Sequence, residues 1–243
     1  MRQADPRIAE LVRAGEIRVG LFLPQYTLDP KSGELHGVGT GFIALELTRI
    51  LAARLGIAAR AVEYPSPKAA VAGLQRKSCD TVFLGMEPSR ALEVDFAPPL
   101  FQFDYTYLVP AGSAIKRISD ADRPGIRIGL VESHASALAL RRLVTQADFV
   151  GVELPDEAID LMENDRADLL AFPRDHLLGF AEKLPGSCVL ADRYGVNRVA
   201  MAVRKGRPGW LAYANEFSQE AKMSGLVQSA IERGNLLGFE IAD

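Results

Sequence analysis

Cysteine is scarce: Cys79 and Cys188 are the only two in 243 residues. They stand far apart, match no metal or thiol-redox spacing, and are expected to be buried, unpaired thiols. Histidine is nearly as scarce, with His36, His134 and His176 scattered and no cysteine or carboxylate at ligand spacing, so no metal site is expected. His36 and His176 are expected to face solvent. No run of Lys and Arg occurs and the net charge is -3, which leaves no basic field for nucleic acid. No apolar run approaches the roughly 18–20 residues that span a bilayer. The segment Met1–Glu10 has no apolar h-region, so either an export signal has been trimmed away or the protein stays in the cytoplasm.

What is present is ordinary for a globular protein, 48% hydrophobic and 24% charged. The length allows one large domain or two lobes of about 100–120 residues. One stretch stands out, Asp80-Thr-Val-Phe-Leu-Gly-Met-Glu-Pro-Ser-Arg90. Its apolar run from Thr81 to Leu84 ends at Gly85, and Pro88 then opens a helical turn that carries Arg90. A strand, a glycine and a helix start place main-chain donors and a guanidinium at the carboxyl edge of a sheet, where open α/β sheets take ligands. An arginine there can hold a carboxylate through two parallel hydrogen bonds, though a solvated helix residue fits the stretch equally well.

The rest of the chain alternates strand and helix. Ile8, Leu11 and Val12 predict a leading helix that stops at Gly15, and Ile17–Leu23 a strand closed by Pro24. Asp29–Gly37 reads as a hairpin-like loop, and residues 42–55 as a helix of about four turns before Gly56. Ala59–Tyr64 predicts a strand and Pro67–Arg76 a helix. Beyond Leu100 come strands over Tyr105–Val109, Ile126–Val131, Phe149–Leu154, Ala167–Phe172 and Val199–Val203. Helices are expected over 135–143, 155–164, 208–221 and 226–231. Phe101, Phe103, Tyr105 and Tyr107 alternate as in a strand, which favours packing at a hinge over a base-stacking platform. Trp210 is expected in the core.

An internal echo is visible. The segment from Lys68 through Asp80 to Leu84 parallels that from Glu157 through Asp168 to Phe172, each a helix, a polar turn, an aspartate and a buried strand. Two similar α/β lobes fit this better than one continuous sheet.

With these elements in order, the chain resembles the family 3 extracellular solute-binding proteins, which have the type II periplasmic binding fold and serve ABC importers. The resemblance runs from Ile17 to Arg233. It rests on Ile17-Arg-Val-Gly20, Gly33–Gly37 with Gly41-Phe42 and Leu55-Gly56, and Gly85-Met-Glu-Pro-Ser-Arg90 with Val94-Asp-Phe-Ala-Pro98. Ile126-Arg-Ile-Gly129 and Ala202-Val-Arg-Lys-Gly206 complete it. It implies an α/β, two-lobed fold with a mostly parallel, helix-flanked sheet in each lobe. Residues 1–100 plus 199–243 would form lobe 1 and 101–198 lobe 2, with hinges near 100–104 and 194–198. A ligand would be held by clamp closure of the interlobe cleft, in a lower dielectric than water.

The resemblance implies that Arg90 takes a ligand carboxylate, with Gly85 and Glu87 beside it. Phe22 and Tyr26 would supply aromatic walls, and Ser133, His134 and Ala135 a helix N-terminus in lobe 2. Departures are equally specific. The slot where the family places an aspartate for an α-ammonium is Pro173, followed by Arg174 and Asp175. The first helix has Phe42-Ile-Ala-Leu without acids, and the signature loop is two residues short and lacks its threonines. An ammonium without a carboxylate partner is costly in a closed cleft. The ligand is therefore expected to be a small organic anion, either an amino acid or an amine-free carboxylate anchored by Arg90 and Arg174. No cofactor is expected. The expected partners are that small molecule and the membrane subunits of an ABC transporter, with the protein a periplasmic monomer. A dehydratase acting on a cyclic carboxylate is the enzymatic alternative, with Glu87 or Glu132 as general acid. A ligand-sensing module for a signalling partner is the third reading. Asp95 and Glu93 are read as structural.

Overall fold

The computed structural model describes residues 5–132 and 134–243. A short helix, α1 (Ala9–Ala14), ends at Gly15, whose φ of 73° lets its N–H reach back to the carbonyls of Leu11 and Val12. Strand β1 (Glu16–Phe22) follows, then the hairpin of β2 (Tyr26–Leu28) and β3 (Leu35–Gly37). Helix α2 (Thr40–Leu55) stops at Gly56, again left-handed. Next come β4 (Ala58–Tyr64), α3 (Pro67–Gln75) with Ser66 as N-cap, β5 (Thr81–Gly85) and the single turn α4 (Pro88–Ala91). A long strand, β6 (Val94–Val109), leaves the first unit. That unit comprises the residues up to Gln102 together with Arg198–Leu236 and Glu240–Asp243.

The second unit comprises Phe103–Asn197 and Leu237–Phe239. It contains β7 (Arg127–Val131), α5 (Ala135–Leu140), β8 (Asp148–Val152), α6 (Pro155–Glu163), β9 (Leu169–Pro173), α7 (Arg174–Lys183) and β10 (Cys188–Val189). The chain returns to the first unit within β11 (Gly195–Arg204) and continues into α8 (Pro208–Met223) and α9 (Leu226–Arg233). The last strand, β12 (Phe239–Ile241), begins in the second unit and ends in the first.

In the first unit the strand order is β4–β1–β5–β11, with β4, β1 and β5 parallel and β11 antiparallel to β5. Alternation along β1 separates two faces. Phe22 packs with Tyr64, Val82 and Leu84 beneath Ala70, Val71 and Leu74 of α3. Ile17, Val19 and Leu21, all fully buried, therefore face the α2 side, where Ile43, Leu47 and Leu51 are also fully buried. Each such aliphatic side chain contributes about 1.5–3 kcal/mol on burial. Trp210 is buried as expected, and its indole N–H donates to the carbonyl of Asp80 at 3.0 Å.

In the second unit the order is β10–β6–β9–β7–β8, with β9, β7 and β8 parallel. Leu108, Val131, Leu170 and Phe172 pack against Ala158, Ile159 and Leu161 of α6 and against Leu177 and Phe180 of α7.

The sequence echo has a structural counterpart in each unit. In the first, Arg18 donates its main-chain N–H (2.8 Å) and two guanidinium N–H groups (2.9 Å each) to Asp80. In the second, Arg127 does the same to Asp168, at 2.7, 3.1 and 2.8 Å. Gly20 and Gly129 also correspond. A Cβ at Gly20 would lie 2.7 Å from Val82, and one at Gly129 would lie 2.6 Å from Leu170. Both strands thus need a glycine where they press on the strand that follows the aspartate.

Several expectations are corrected. Cys188 is exposed, because β10 is a two-residue strand reached through the turn at Gly186, whereas Cys79 is buried. His176 is partly buried against the ring of Phe172 (4.8 Å) and does not stand free in solvent; His36 is exposed. The strand expected over Tyr105–Val109 starts at Val94, since Pro98 and Pro99 sit inside an extended segment without breaking it. Helix α7 was not anticipated at all.

Candidate functional site

Because β4, β1 and β5 run parallel, their carboxyl ends share one edge of the first unit. Three loops meet there: 22–26, 64–68 and 85–90. After Phe22 the chain turns, with the N–H of Gln25 donating to the Phe22 carbonyl. The buried side chain of Gln25 donates to the carbonyl of Phe83, tying this loop to β5 at 3.2 Å. Phe22 itself is a core residue beneath α3, so the aromatic this loop leaves partly exposed is Tyr26.

Gly85 is buried at the end of β5, and its carbonyl has two donors, the N–H of Glu87 (3.0 Å) and Nη1 of Arg90 (2.9 Å). Glu87 is the N-cap of α4 but makes no side-chain cap bond. The glycine carbonyl therefore orients the Arg90 guanidinium, and among the described residues no carboxylate pairs with it. Arg90 lines a cavity of about 330 Å³ together with Ser66, Pro67, Lys68, Val71 and Glu93. Ser66 and Lys68 were missed in the sequence. The signal that could have found them is the parallel order itself, which sends the loop after β4 to the edge already assigned to Gly85.

The second unit has its own carboxyl edge, where β7 ends before His134 and β9 ends at Pro173. Ser133 lies outside the described residues. His134 is the N-cap of α5: its Nδ1 accepts from the N–H of Ser136 (3.1 Å) and sits 2.8 Å from the Ser136 hydroxyl. An accepting Nδ1 puts the ring proton on Nε2. The ring packs against Phe172 at 4.7 Å and Tyr105 at 6.0 Å. Burial, and then the nearby His176, lower its pKa to about 4 against an opposing effect of Asp175, so the imidazole is neutral near pH 7. The His134 N–H is already given to the carbonyl of Val131, and that of Ser136 to the histidine ring. Ala135 carries the first main-chain donor of α5 for which the described residues offer no acceptor.

Pro173 closes β9, paired with Tyr105, and is the N-cap of α7. Arg174 turns away to structural work, donating to the carbonyls of Leu190 (2.8 Å) and Ala191 (3.0 Å) and approaching Asp104 at 3.4 Å. Asp175 places Oδ1 3.1 Å from Nδ1 of His176. Glu132 is held by Arg141 through both carboxylate oxygens at 2.7 Å.

The family model of the bacterial extracellular solute-binding proteins, family 3, matches residues 23–233. The chain belongs to that family. Solved family-type structures share the fold of this solute-binding protein. An ancestral amino acid-binding protein described as a precursor of cyclohexadienyl dehydratase is 24% identical, with a TM-score of 0.70 over 93% of this chain and 97% of its own. A putative ABC-transporter binding component from Wolinella succinogenes, complexed with lysine, is 25% identical, with a TM-score of 0.74 over 90% and 95% of the two chains. The L-cysteine solute receptor of Neisseria gonorrhoeae is 19% identical, with a TM-score of 0.70 over 97% and 99%. Compared by sequence with curated proteins, the chain has no significant match. These structures are two-lobed binding proteins, and the solute-binding protein described here has the same mixed α/β organisation. Among the described residues no helix is long and apolar enough to cross a membrane.

Proposed function

We propose that this solute-binding protein is the receptor component of an ABC importer, acting in the periplasm and presenting its ligand to the transporter's membrane subunits. Its ligand is a small organic anion, an amino acid or an amine-free carboxylate, whose carboxylate docks on Arg90. The observation that carries this reading is the state of that guanidinium. It stands at the carboxyl edge of the first unit, oriented by the Gly85 carbonyl and without a carboxylate partner among the described residues. Arg18, Arg127 and Arg141 are each closed by an aspartate or glutamate. With Nη1 committed to Gly85, Nε and Nη2 remain to take a carboxylate through two parallel bonds.

Tyr26 and Glu87 flank the ligand on that side. The second unit contributes the Ala135 N–H and the neutral His134 ring, with its Nε2 proton, as clamp closure brings its edge to the ligand. Arg174 holds the loop at Leu190 and Ala191, so Asp175 is the acidic group left near this edge for an ammonium. The lysine and L-cysteine of the relatives' descriptions favour an amino acid over an amine-free carboxylate, the negative group that matters to Arg90 being its carboxylate and not its net charge.

The test is a thermal-shift screen of amino acids, amine-free carboxylic acids and oxyanions, repeated on Arg90→Ala. The variant should keep its unliganded melting temperature and lose about 2–5 kcal/mol of affinity for the hit. Undiminished binding of the same ligand would remove Arg90 from the site.

A catalytic reading has one observation in its favour, the relative described as a dehydratase precursor. Since Arg141 holds Glu132, Glu87 is the carboxyl group available as general acid. Conversion of a prephenate-like acid, lost in Glu87→Gln, would support it; unchanged substrate would leave binding as the function.

A further inference from the structure

We propose that the first unit carries a second small-molecule site, at the opposite edge of its sheet, for an amphipathic anion such as a branched or aromatic carboxylate. The amino-terminal ends of β1 and β5 border a cavity of about 310 Å³, within the size range of small-ligand pockets. It lies roughly 20 Å from the Arg90 edge, the length of a seven-residue strand.

The cavity has an apolar floor of Leu11, Leu74 and Trp210. The tryptophan's N–H is already given to Asp80, so what remains of its ring toward the cavity is apolar. The charged groups around the floor are unequal. Each lining carboxylate is already closed by an arginine: Glu10 by Arg207, Glu16 by Arg60, and Asp80 by Arg18. Lys77 and Arg204 also line the cavity; both act on Glu10 at Coulombic range, but among the described residues neither forms an ion pair at contact distance. The unneutralised charge is therefore positive and sits above a hydrophobic surface, which is the complement of an anion with an apolar body.

The placement of Lys77 adds to this. It stands at φ 62°, the left-handed conformation that ends α3 and that glycine adopts without strain. The corresponding turn of the second unit uses Asp165, at φ 53°, a residue type better suited to that region. A lysine here occupies a backbone conformation that suits glycine better, and it brings an ammonium to the lining of the cavity.

Trp210 is the only tryptophan of the chain, so its fluorescence reports on this cavity. Titration with benzoate at neutral pH should give a saturable change, and benzamide, the uncharged analogue, should give none. Arg204→Gln should weaken the benzoate response by about tenfold or more. Lys77→Gly should weaken it similarly while keeping or raising the melting temperature, because the backbone strain is relieved at the same time. Arg90→Ala should leave the titration unchanged, which separates this site from the one proposed above. An equal response to benzamide, no saturable change with benzoate, full benzoate affinity in both cavity variants, or loss of the response in Arg90→Ala would each overturn the proposal.

Discussion

His134 shows what a single buried side chain does to stability. Its imidazole is neutral in the folded protein because burial and the neighbouring His176 hold its pKa at about 4, against an ordinary value of 6.5. The unfolded chain therefore binds the extra proton first as pH falls. Stability is fully present above about pH 6.5 and declines toward pH 4, by up to about 3 kcal/mol for a shift of this size. That is an upper figure, since the ring keeps some exposed surface. The aspartates held low, among them Asp29, Asp120 and Asp122 with their main-chain donors, add their own losses only below their ordinary range near 3.8. Glu10 and Glu216, held low by Arg207 and Arg7, begin to add theirs near 4.5, so the window between about pH 6.5 and 5 belongs to the histidine. His134→Asn keeps an N-cap acceptor and removes the titration. Its melting temperature should be nearly flat across that window where the parent's falls, as thermal denaturation at a series of pH values would show. A parallel decline in both proteins would assign the dependence elsewhere.

At the scale of elements, the first-unit edge is set by how α2 presses on the loop after β1. A Cβ on Gly41 would lie 1.9 Å from the main-chain oxygen of Gln25, an atom that also accepts the N–H of Val38. Backbone cannot step aside as a flexible side-chain tip can. Gly41→Ala should cost about 1–3 kcal/mol, a fall of roughly 3–10 °C in melting temperature. It should also weaken ligand binding, because Tyr26 follows directly on the displaced residue. Glycine stops and helical periodicity made α1 and α2 legible, Pro67 at its start did so for α3, and an apolar run before a glycine did the same for β5. What stayed hidden depends on partners far away in the chain. The part of β6 ahead of Tyr105 stayed hidden because its two prolines offer no ladder donors and nothing local announces an extended segment there. Arg174 read as a ligand anchor because the carbonyls of Leu190 and Ala191, which consume its donors, become its neighbours only after folding. At His134, the acceptor role of Nδ1 is a local cap, but the neutrality of the ring comes from Phe172, Tyr105 and His176, which no local pattern reveals.

At the scale of the molecule, the repeated helix–turn–Asp–strand segment was legible because each copy solves the same problem. An aspartate ahead of an inner strand takes the main-chain N–H and the guanidinium of the neighbouring strand's arginine, fixing the register of the two. Since the units have separate cores, one under α3 and the other under α6 and α7, each lock should act within its own unit. Asp168→Ala leaves the Arg127 N–H without its acceptor and frees the guanidinium from both carboxylate oxygens. Amide hydrogen exchange in that variant should accelerate across β7, β9 and α6 while β1, β5 and α3 keep the parent's protection. Asp80→Ala should give the mirror image, with the first unit loosened and the second unchanged. The proposed ligand then separates local from global effects further. Bound through Arg90, it should restore protection in the Asp80 variant only to the extent that the Gly85 edge still forms, and it should not repair the β7–β9 register of the Asp168 variant. Equal acceleration in both units from either substitution would mean that the chain opens as one cooperative body, with the repeated locks holding a shared structure.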